Sequence, residues 1–292
     1  MFDLKEFTIT APDGLKLSAA LFECENPKAL IQVIHGAKEH KERYYDFINF
    51  LNSNGYAVIV SDNRGHGHSV NTKYFLGHFD GIMQVVDDQL LVTQYIKNIY
   101  PGKDLYIFGH SLGSCIARIY LQKHDDEVKK MVLTGTVLPI PICKLGDAVC
   151  DIFMKKYGRN SIAGVLSKMV NADVDSWVCA NPATMAVYRR DMLVKRCTYT
   201  NAAIASIVQA DEFMTDYDKF ELKNPSLKIL SANGAQDVCM GTPLGLKSSI
   251  RALHKIGYKD VQGIIYPGMK HEVINEADNA KVYSDILNFY NA

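Results

Sequence analysis

The sequence predicts an α/β protein in which a mostly parallel sheet carries helices on both faces. Short apolar runs of strand length alternate with segments of helical spacing, an order typical of such sheets. The alternation stops between about residues 137 and 222, where helix-like pieces replace strands. The runs suited to buried strands are Ala29–Ile34, Tyr56–Ser61, Leu105–Phe108, Val128–Thr134, Ser226–Ala232 and Val261–Tyr266. We therefore expect one sheet whose strand order is interrupted by a helical insertion.

The first element is a strand pair, because Asp13-Gly14 between Glu6–Thr10 and Leu15–Phe22 favours a hairpin. Helices are expected at 44–54, 82–98, 111–122, 244–256 and 277–290. In the insertion, helix-like pieces occupy 146–156, 162–169, 184–194 and 202–213. The expected domains are a core of residues 1–136 and 223–292 and a helical cap of residues 137–222.

Composition and charge exclude several classes of protein. The 292 residues include 32 basic and 32 acidic side chains, and this balance argues against non-specific nucleic-acid binding. No apolar run approaches the ~20 residues of a membrane span, and the N-terminal residues lack the pattern of a secretory signal. Seven cysteines without a CxxC pair are typical of reduced thiols. We therefore expect a cytoplasmic protein without a transmembrane segment.

The strongest local signal is Gly109-His110-Ser111-Leu112-Gly113. It follows the strand-like run 104–108 and opens the helix-like run 114–122, so Ser111 is expected on a turn from strand to helix. Glycines two residues before and after the serine permit so tight a turn, since side chains there would collide with the neighbouring strand and helix. The pattern predicts a nucleophile elbow with Ser111 as the nucleophile.

A serine nucleophile needs a base and an acid that orients the base. In chain order after such an elbow, the acid precedes the histidine, and both follow strand ends. Asp237 and His271 meet these conditions on glycine-containing loops. The competing residues fit less well. Three carboxylates fall in the insertion and not after a core strand. Glu272 is expected to point away from His271, and His254 falls within a predicted helix. The rejected carboxylates of the insertion are Asp211, Asp216 and Asp218.

An oxyanion requires two backbone N–H donors aimed at it. The residue after the nucleophile, Leu112, should provide one of them. The loop after the strand at 29–34 should provide the other, and we favour the N–H of Ala37 because Gly36 would let the chain turn sharply there. His35 is expected to have a structural role.

The segment Asp62–Ser69 also follows a strand and contains two glycines, which suggest a compact turn in which Arg64 bridges carboxylates. Its histidines, His66 and His68, invite a metal interpretation together with Asp62 and His78. Zinc sites need convergent ligands at fixed spacing, so a structural turn is the better interpretation. We expect neither a metal nor a cofactor.

Apolar residues at the start of the insertion admit two interpretations. Residues 137–142 are conspicuously apolar, and Ala148, Val149, Ile152 and Phe153 follow. Such residues mostly pack a small helical core, and the minority interpretation is a rim that guides acyl chains or makes transient contact with lipid. Cys239 is expected near the site, where a second nucleophile is unnecessary.

These residues together resemble the α/β-hydrolases of the monoacylglycerol lipase and lysophospholipase group, also called serine aminopeptidase S33-like hydrolases. The matching motifs are His35-Gly36-Ala37 with Glu39-His40, Asp62-x-Arg-Gly-His-Gly-x-Ser69, Gly109-His-Ser-Leu-Gly113, Gly234-x-x-Asp237 and Tyr266-x-Gly-x-x-His271. The resemblance implies an α/β-hydrolase fold with a helical cap at about 137–222 that sets substrate preference. It implies Ser111, Asp237 and His271 as the catalytic triad, with the N–H groups of Ala37 and Leu112 as the oxyanion hole. The chain departs from the group at Ser114-Cys115, where Gly-Gly is frequent, and this should alter packing more than chemistry.

Three functions are compatible with this pattern. The leading hypothesis is a serine esterase acting on monoacylglycerols or similar small ester or lipid substrates. An aminopeptidase or amidase shares the architecture and would need carboxylates in the cap to hold a substrate amino group. The candidates for that role are Asp173, Asp175, Asp211 and Glu212. A non-catalytic binding protein of this fold is a third class, although such proteins usually lose a triad member.

Overall fold

Eight strands form one sheet in the computed structural model, which describes residues 4–138, 143–162, 171, 176–241 and 243–292. The strands are β1 Leu4–Thr10, β2 Lys16–Phe22, β3 Leu30–Ile34, β4 Ala57–Ser61, β5 Leu105–His110, β6 Val128–Thr134, β7 Lys228–Gly234 and β8 Asp260–Tyr266. The first two strands pair antiparallel, as does β2 with β4, and all later pairs are parallel. The order of the strands across the sheet is β1-β2-β4-β3-β5-β6-β7-β8. The expected hairpin and mostly parallel sheet are thus confirmed.

Helices follow most of the parallel strands, as expected for this class. In the described part of the chain they are α1 Tyr45–Ser53, α2 Ile82–Ile99, α3 Leu112–His124, α4 Cys143–Tyr157, α5 Pro182–Tyr188, α6 Met192–Lys195, α7 Asn201–Phe213, α8 Pro243–Ile256 and α9 Asn279–Asn291. None of these described helices combines the length and the apolar character needed to cross a bilayer.

The two faces of the sheet carry separate apolar cores, because side chains alternate along each strand. Ile31 and Val33 of β3 pack on the face covered by α1 and α9. Leu30 and Ile34 of the same strand pack on the face covered by α2 and α3. Full burial of β3 on both faces explains why four of its five residues are apolar, and the fifth, Gln32, bonds to Gln89 of α2.

The stretch between β6 and β7 contains four helices and no strand among its described residues. The expected single helix at 184–194 is wrong: α5 ends at Tyr188 and α6 begins at Met192. Asp191 causes the break, because its side chain accepts the N–H groups of Leu193 and Val194 and so caps a new helix. The expected helix at 162–169 lies almost wholly outside the described residues.

Several element boundaries also differ from expectation, and two of them lie in the second half of the core. Strand β7 extends to Gly234 rather than Ala232, which brings Asp237 nearer the strand end, and the last helix begins at Asn279 rather than Ala277. Because β3, β5, β7 and β8 are parallel, their carboxyl ends meet at one edge of the sheet. The loops that carry the predicted site residues therefore leave the sheet along the same edge.

Candidate functional site

Ser111 occupies a strained turn between β5 and α3. Its φ is 54° and its ψ is −121°, a region that residues with side chains rarely adopt. Its backbone N–H donates to Thr134 O at 2.9 Å, which ties the turn to the end of β6. A Cβ added at Gly113 would lie 2.1 Å from Ile34 O, and one at Gly109 would lie 2.6 Å from Gly113 O. The two glycines are therefore required by the close approach of neighbouring elements, as the sequence indicated.

Asp237 and His271 form a buried hydrogen-bonded pair. His271 Nδ1 lies 2.9 Å from Asp237 Oδ1, and the same oxygen accepts the N–H of Cys239 at 2.8 Å. Since a carboxylate accepts, Nδ1 carries the proton, and Nε2 is the ring nitrogen able to accept another. The single tryptophan of the chain, Trp177, packs edge-on against the imidazole with ring centroids 5.0 Å apart.

The environment of this pair shifts both pKa values in favour of an ion pair. Burial alone would lower the pKa of His271, but the neighbouring Cys239 and Asp237 raise it well above its ordinary value. Burial opposes ionisation of Asp237, but the hydrogen bond from His271 outweighs it and lowers the pKa of the carboxyl. A histidine oriented in this way can take up a proton that a nearby hydroxyl releases.

The loop of residues 36–38 lies beside Ser111. Gly36 is needed here for space, because an added Cβ would lie 2.9 Å from Ser111 Cβ and 2.6 Å from Glu39 Oε2. The residue of this loop in the left-handed region is Lys38, with φ of 53°, and Gly36 does not have a positive φ. The N–H groups of Ala37 and Leu112 have no hydrogen-bond partner within the described ranges.

A cavity of about 350 Å³ joins these groups. Ser111, His271, Ala37 and Leu112 line it, and Asp237 is hydrogen-bonded to His271 without lining the cavity itself. Its surface is mostly apolar and includes residues from the stretch between β6 and β7, among them Val137, Trp177, Tyr188 and Ile207. The volume falls within the range of small-molecule pockets. All five predicted site residues are thus brought to one place, and their catalytic roles stay predictions.

A buried ionic network beside the cavity was not predicted. Arg43 Nη2 donates to both carboxylate oxygens of Glu272, at 2.7 and 2.6 Å, and Arg43 Nε donates to Glu39 Oε1 at 3.1 Å. Glu39 Oε2 accepts the Tyr44 hydroxyl at 2.7 Å and the Gly36 N–H at 2.8 Å. The Glu272 side chain therefore bonds to Arg43, whereas His271 bonds to Asp237, in agreement with the exclusion of Glu272 as the orienting acid. The i, i+4 spacing of Glu39 and Arg43 was the sequence signal available for this network.

The histidines of the second candidate region do not converge. His66 bonds to Tyr199, His78 bonds to Thr200, and His68 is exposed. Arg64 bridges the carboxylates of Asp88 and Asp13, which supports the interpretation as a structural turn. In the described residues the side chains close enough to share an ion are Asp237, Cys239 and His271. The hydrogen bond between the acid and the histidine already accounts for that arrangement.

Of the carboxylates considered for an amino-group site, Asp211 lines the cavity and is buried. Glu212 is half-buried on α7 and does not line it. Asp173 and Asp175 lie outside the described residues, as do residues 139–142 of the apolar stretch. His254 is exposed on α8, in agreement with its exclusion from the site.

Comparison with known proteins identifies the family. Residues 25–278 match the family model for serine aminopeptidase, S33. A monoglyceride lipase homolog of monkeypox virus is 35% identical over 256 residues, which cover 87% of this chain and 86% of that protein. A monoacylglycerol lipase of Mycolicibacterium smegmatis is 24% identical over 270 residues, 90% of this chain and 88% of that protein.

Among solved structures, a thermostable carboxyl esterase of Bacillus coagulans superposes with a TM-score of 0.87 at 23% identity. The superposition covers 100% of this chain and 99% of that one. This similarity establishes the α/β-hydrolase fold. With most of its length matched by the family model, the chain belongs to the serine aminopeptidase S33 family of α/β-hydrolases.

Proposed function

We propose that the protein is a serine hydrolase that cleaves carboxylic esters of lipids, with monoacylglycerols or lysophospholipid-like molecules as substrates. One observation carries the proposal: Ser111, on its strained elbow, and the paired His271 border the same mostly apolar cavity. Two relatives, named monoacylglycerol lipase and monoglyceride lipase homolog, support the substrate class.

In the proposed reaction, Ser111 Oγ attacks the acyl carbonyl carbon while His271 Nε2 takes the hydroxyl proton. Asp237 holds the imidazole through Nδ1 and stabilises the imidazolium that forms. The tetrahedral intermediate collapses as His271 returns the proton to the leaving alcohol, and the acyl group remains on Ser111. His271 then activates water, which releases the carboxylic acid. These steps use side chains and water alone.

The negative charge that develops on the carbonyl oxygen would be bound by the N–H groups of Ala37 and Leu112. Both residues line the cavity, and neither N–H is occupied by another acceptor in the described part of the chain. Donors that are fixed before the reaction stabilise the intermediate without reorganisation.

Residues 137–222 are proposed as the cap that receives the acyl chain. Val137 and Ile207 from this stretch face the cavity together with Leu112 and Cys115 of α3, which gives an apolar wall. On the outside, Ile152 is 63% exposed, which is compatible with transient contact with a lipid surface. Because the sequence has an odd number of cysteines and no CxxC pair, the proposed compartment is the cytosol.

The substrate class is tested with a panel of p-nitrophenyl esters of graded chain length and with monoacylglycerols, using Ser111→Ala as control. We expect turnover that depends on chain length, because the apolar part of the cavity is finite. Equal and slow hydrolysis of every ester would argue against a lipid substrate.

A second candidate, an aminopeptidase, is favoured by one observation: the buried carboxyl group of Asp211 lines the cavity. A carboxylate there could hold a substrate amino group. Aminoacyl-p-nitroanilides distinguish the two functions, since an esterase should cleave them far more slowly than esters. Preferential turnover of the anilides would replace the esterase proposal.

A further inference from the structure

The three successive backbone N–H groups of the 36–38 loop differ in their hydrogen bonding. The Gly36 N–H donates to Glu39 Oε2 at 2.8 Å, and the Lys38 N–H donates to the Tyr199 hydroxyl at 2.6 Å. The Ala37 N–H between them has no acceptor in the described ranges. The loop is thus held on both sides of the group proposed as an oxyanion donor.

The Tyr199 hydroxyl has a defined direction. His66 Nδ1 lies 3.1 Å from Arg64 O, and since a carbonyl only accepts, Nδ1 carries the ring proton. Nε2 is then an acceptor, and it lies 2.7 Å from the Tyr199 oxygen. Burial lowers the pKa of His66 to about 4, which keeps the ring neutral. Tyr199 therefore donates to His66, and its lone pairs remain for the Lys38 N–H.

The segment that carries Tyr199 is anchored to the core. Thr200 N donates to Gly77 O at 3.2 Å, and Thr200 Oγ1 pairs with His78 Nδ1 at 2.8 Å. The two backbones approach so closely that a Cβ at Gly77 would lie 2.2 Å from Thr198 O. Tyr199 is itself 1% exposed, so its hydroxyl has little freedom.

The Asp62–Ser69 segment holds the start of the loop as well. Asn63 Nδ2 donates to His35 O at 3.1 Å, and the Asn63 N–H donates to His35 Nε2 at 2.8 Å. The His35 ring then directs Nδ1–H to Gly36 O at 2.8 Å. The Asp62–Ser69 segment thus acts on both ends of the loop. Asn63 bonds to His35 at its start, and His66 bonds to the Tyr199 hydroxyl that holds Lys38 at its end.

We propose that Tyr199 is a positioning residue of the oxyanion hole: its hydroxyl, oriented by His66, holds Lys38 so that the Ala37 N–H stays available at the cavity. Lys38 adopts a left-handed conformation, with φ of 53°, that needs support from its surroundings. Without the hydroxyl, the loop can relax and the Ala37 N–H can turn away. The inference rests on the proposed function, because the Ala37 N–H acts as an oxyanion donor only in that reaction.

The test is Tyr199→Phe, which removes the hydroxyl and keeps the ring. Loss of one oxyanion donor costs roughly 10²–10³-fold in kcat, and loss of its positioning should cost about ten- to a hundredfold. We expect KM for a p-nitrophenyl ester to change less than about twofold, because the ground-state ester depends little on the hole. Affinity for a trifluoromethyl ketone that forms a tetrahedral adduct on Ser111 should weaken by the same factor as kcat/KM.

The matched control is Tyr258→Phe. Tyr258 is equally buried, and its hydroxyl bonds to Asp125 at 3.3 Å outside the cavity. This variant should keep wild-type kcat and ketone affinity. Unchanged kcat in Tyr199→Phe, or a fall in kcat without weaker ketone binding, would overturn the inference.

A second variant covers the case in which Tyr199→Phe does not fold. His66→Phe removes the acceptor that orients the hydroxyl and keeps an aromatic ring near Phe79 and Tyr199. It should show the same parallel loss in kcat and ketone affinity, and wild-type values for both would refute the inference. If the wild-type protein itself hydrolyses no ester and forms no ketone adduct, the proposed function fails instead.

Discussion

Cys239 lies directly beside the His271–Asp237 pair. Its backbone N–H fixes Asp237 Oδ1, and its side chain borders the cavity. Burial favours neutral His271, and Cys239 and Asp237 counter this effect by stabilising the imidazolium. Two neighbours thus raise the pKa of the proposed base against the effect of burial, and one of them is not a member of the proposed triad.

Cys239→Ser should therefore shift the pH profile of activity. The main effect of Cys239 on His271 is electrostatic, and a serine hydroxyl stays uncharged in this pH range, so the pKa of His271 should fall. Because His271 acts as base in its neutral form, the acidic limb of kcat/KM should move to lower pH. The profile is measured with a p-nitrophenyl ester, and Cys24→Ser, outside the cavity, is the control. An acidic limb that stays in place or moves to higher pH would contradict this assignment.

Between elements, the Glu39–Arg43–Glu272 network joins the loop after β3 to the loop after β8. Side chains of all three residues are less than a tenth exposed. Electrostatic interactions with His110 and Arg43 outweigh burial and lower the pKa of Glu39 to about 2, whereas burial dominates at Glu272 and raises its pKa. Arg43 also stacks on the Tyr188 ring at 4.8 Å, which connects the network to α5.

Arg43→Met should destabilise the protein by about 3–5 kcal/mol, because it leaves two buried carboxylates without a cation. The free energy of unfolding is measured by urea titration. Arg251→Met on the exposed face of α8 is the matched control and should change it by no more than about 0.5 kcal/mol. A loss below about 1 kcal/mol for Arg43→Met would mean that the network contributes little.

A second contact between elements depends on pH. His40, in the loop after β3, has Nε2 at 2.6 Å from Asp191 Oδ2 at the start of α6, and Nδ1 pairs with Glu42. Burial opposes protonation, but the two carboxylates outweigh it and raise the pKa of His40. The contact is therefore complete when His40 is doubly protonated.

This contact should stabilise the protein fully below about pH 6.5, the ordinary pKa of histidine, and lose strength as pH rises through the raised value. Thermal unfolding of the wild type and His40→Gln should accordingly differ most at the acidic end of that window and converge at alkaline pH. A difference that grows with rising pH would contradict the assigned direction.

Across the whole molecule, the predictable parts are those with strong local signals. The glycines around Ser111 and the apolar strands predicted the elbow and the sheet, and the parallel order then brought Asp237 and His271 to the same edge. The helix break at Asp191 was missed because the apolar pattern continues past this residue and predicts one helix. The Asp191 side chain instead caps a new helix.

Contacts between distant residues were beyond prediction. Lys38 and Tyr199 are 161 positions apart, and Arg43 and Glu272 are 229 apart. No local pattern encodes such pairings, since they depend on how the stretch between β6 and β7 folds back over the sheet edge. Gly36 illustrates the same limit. Glycine is needed there because Ser111 lies too close for a side chain, and not because the backbone of Gly36 adopts a positive φ.

The central claim is that Ser111 is a nucleophile activated by the surrounding fold. Intact-mass spectrometry after incubation with a fluorophosphonate tests it most directly, alongside ester turnover by wild type and Ser111→Ala. We predict one adduct on wild type, mapped to Ser111, none on Ser111→Ala, and a loss of kcat of roughly 10³-fold or more in that variant. Folded wild-type protein that forms no adduct, or a Ser111→Ala variant with wild-type turnover, would contradict the account.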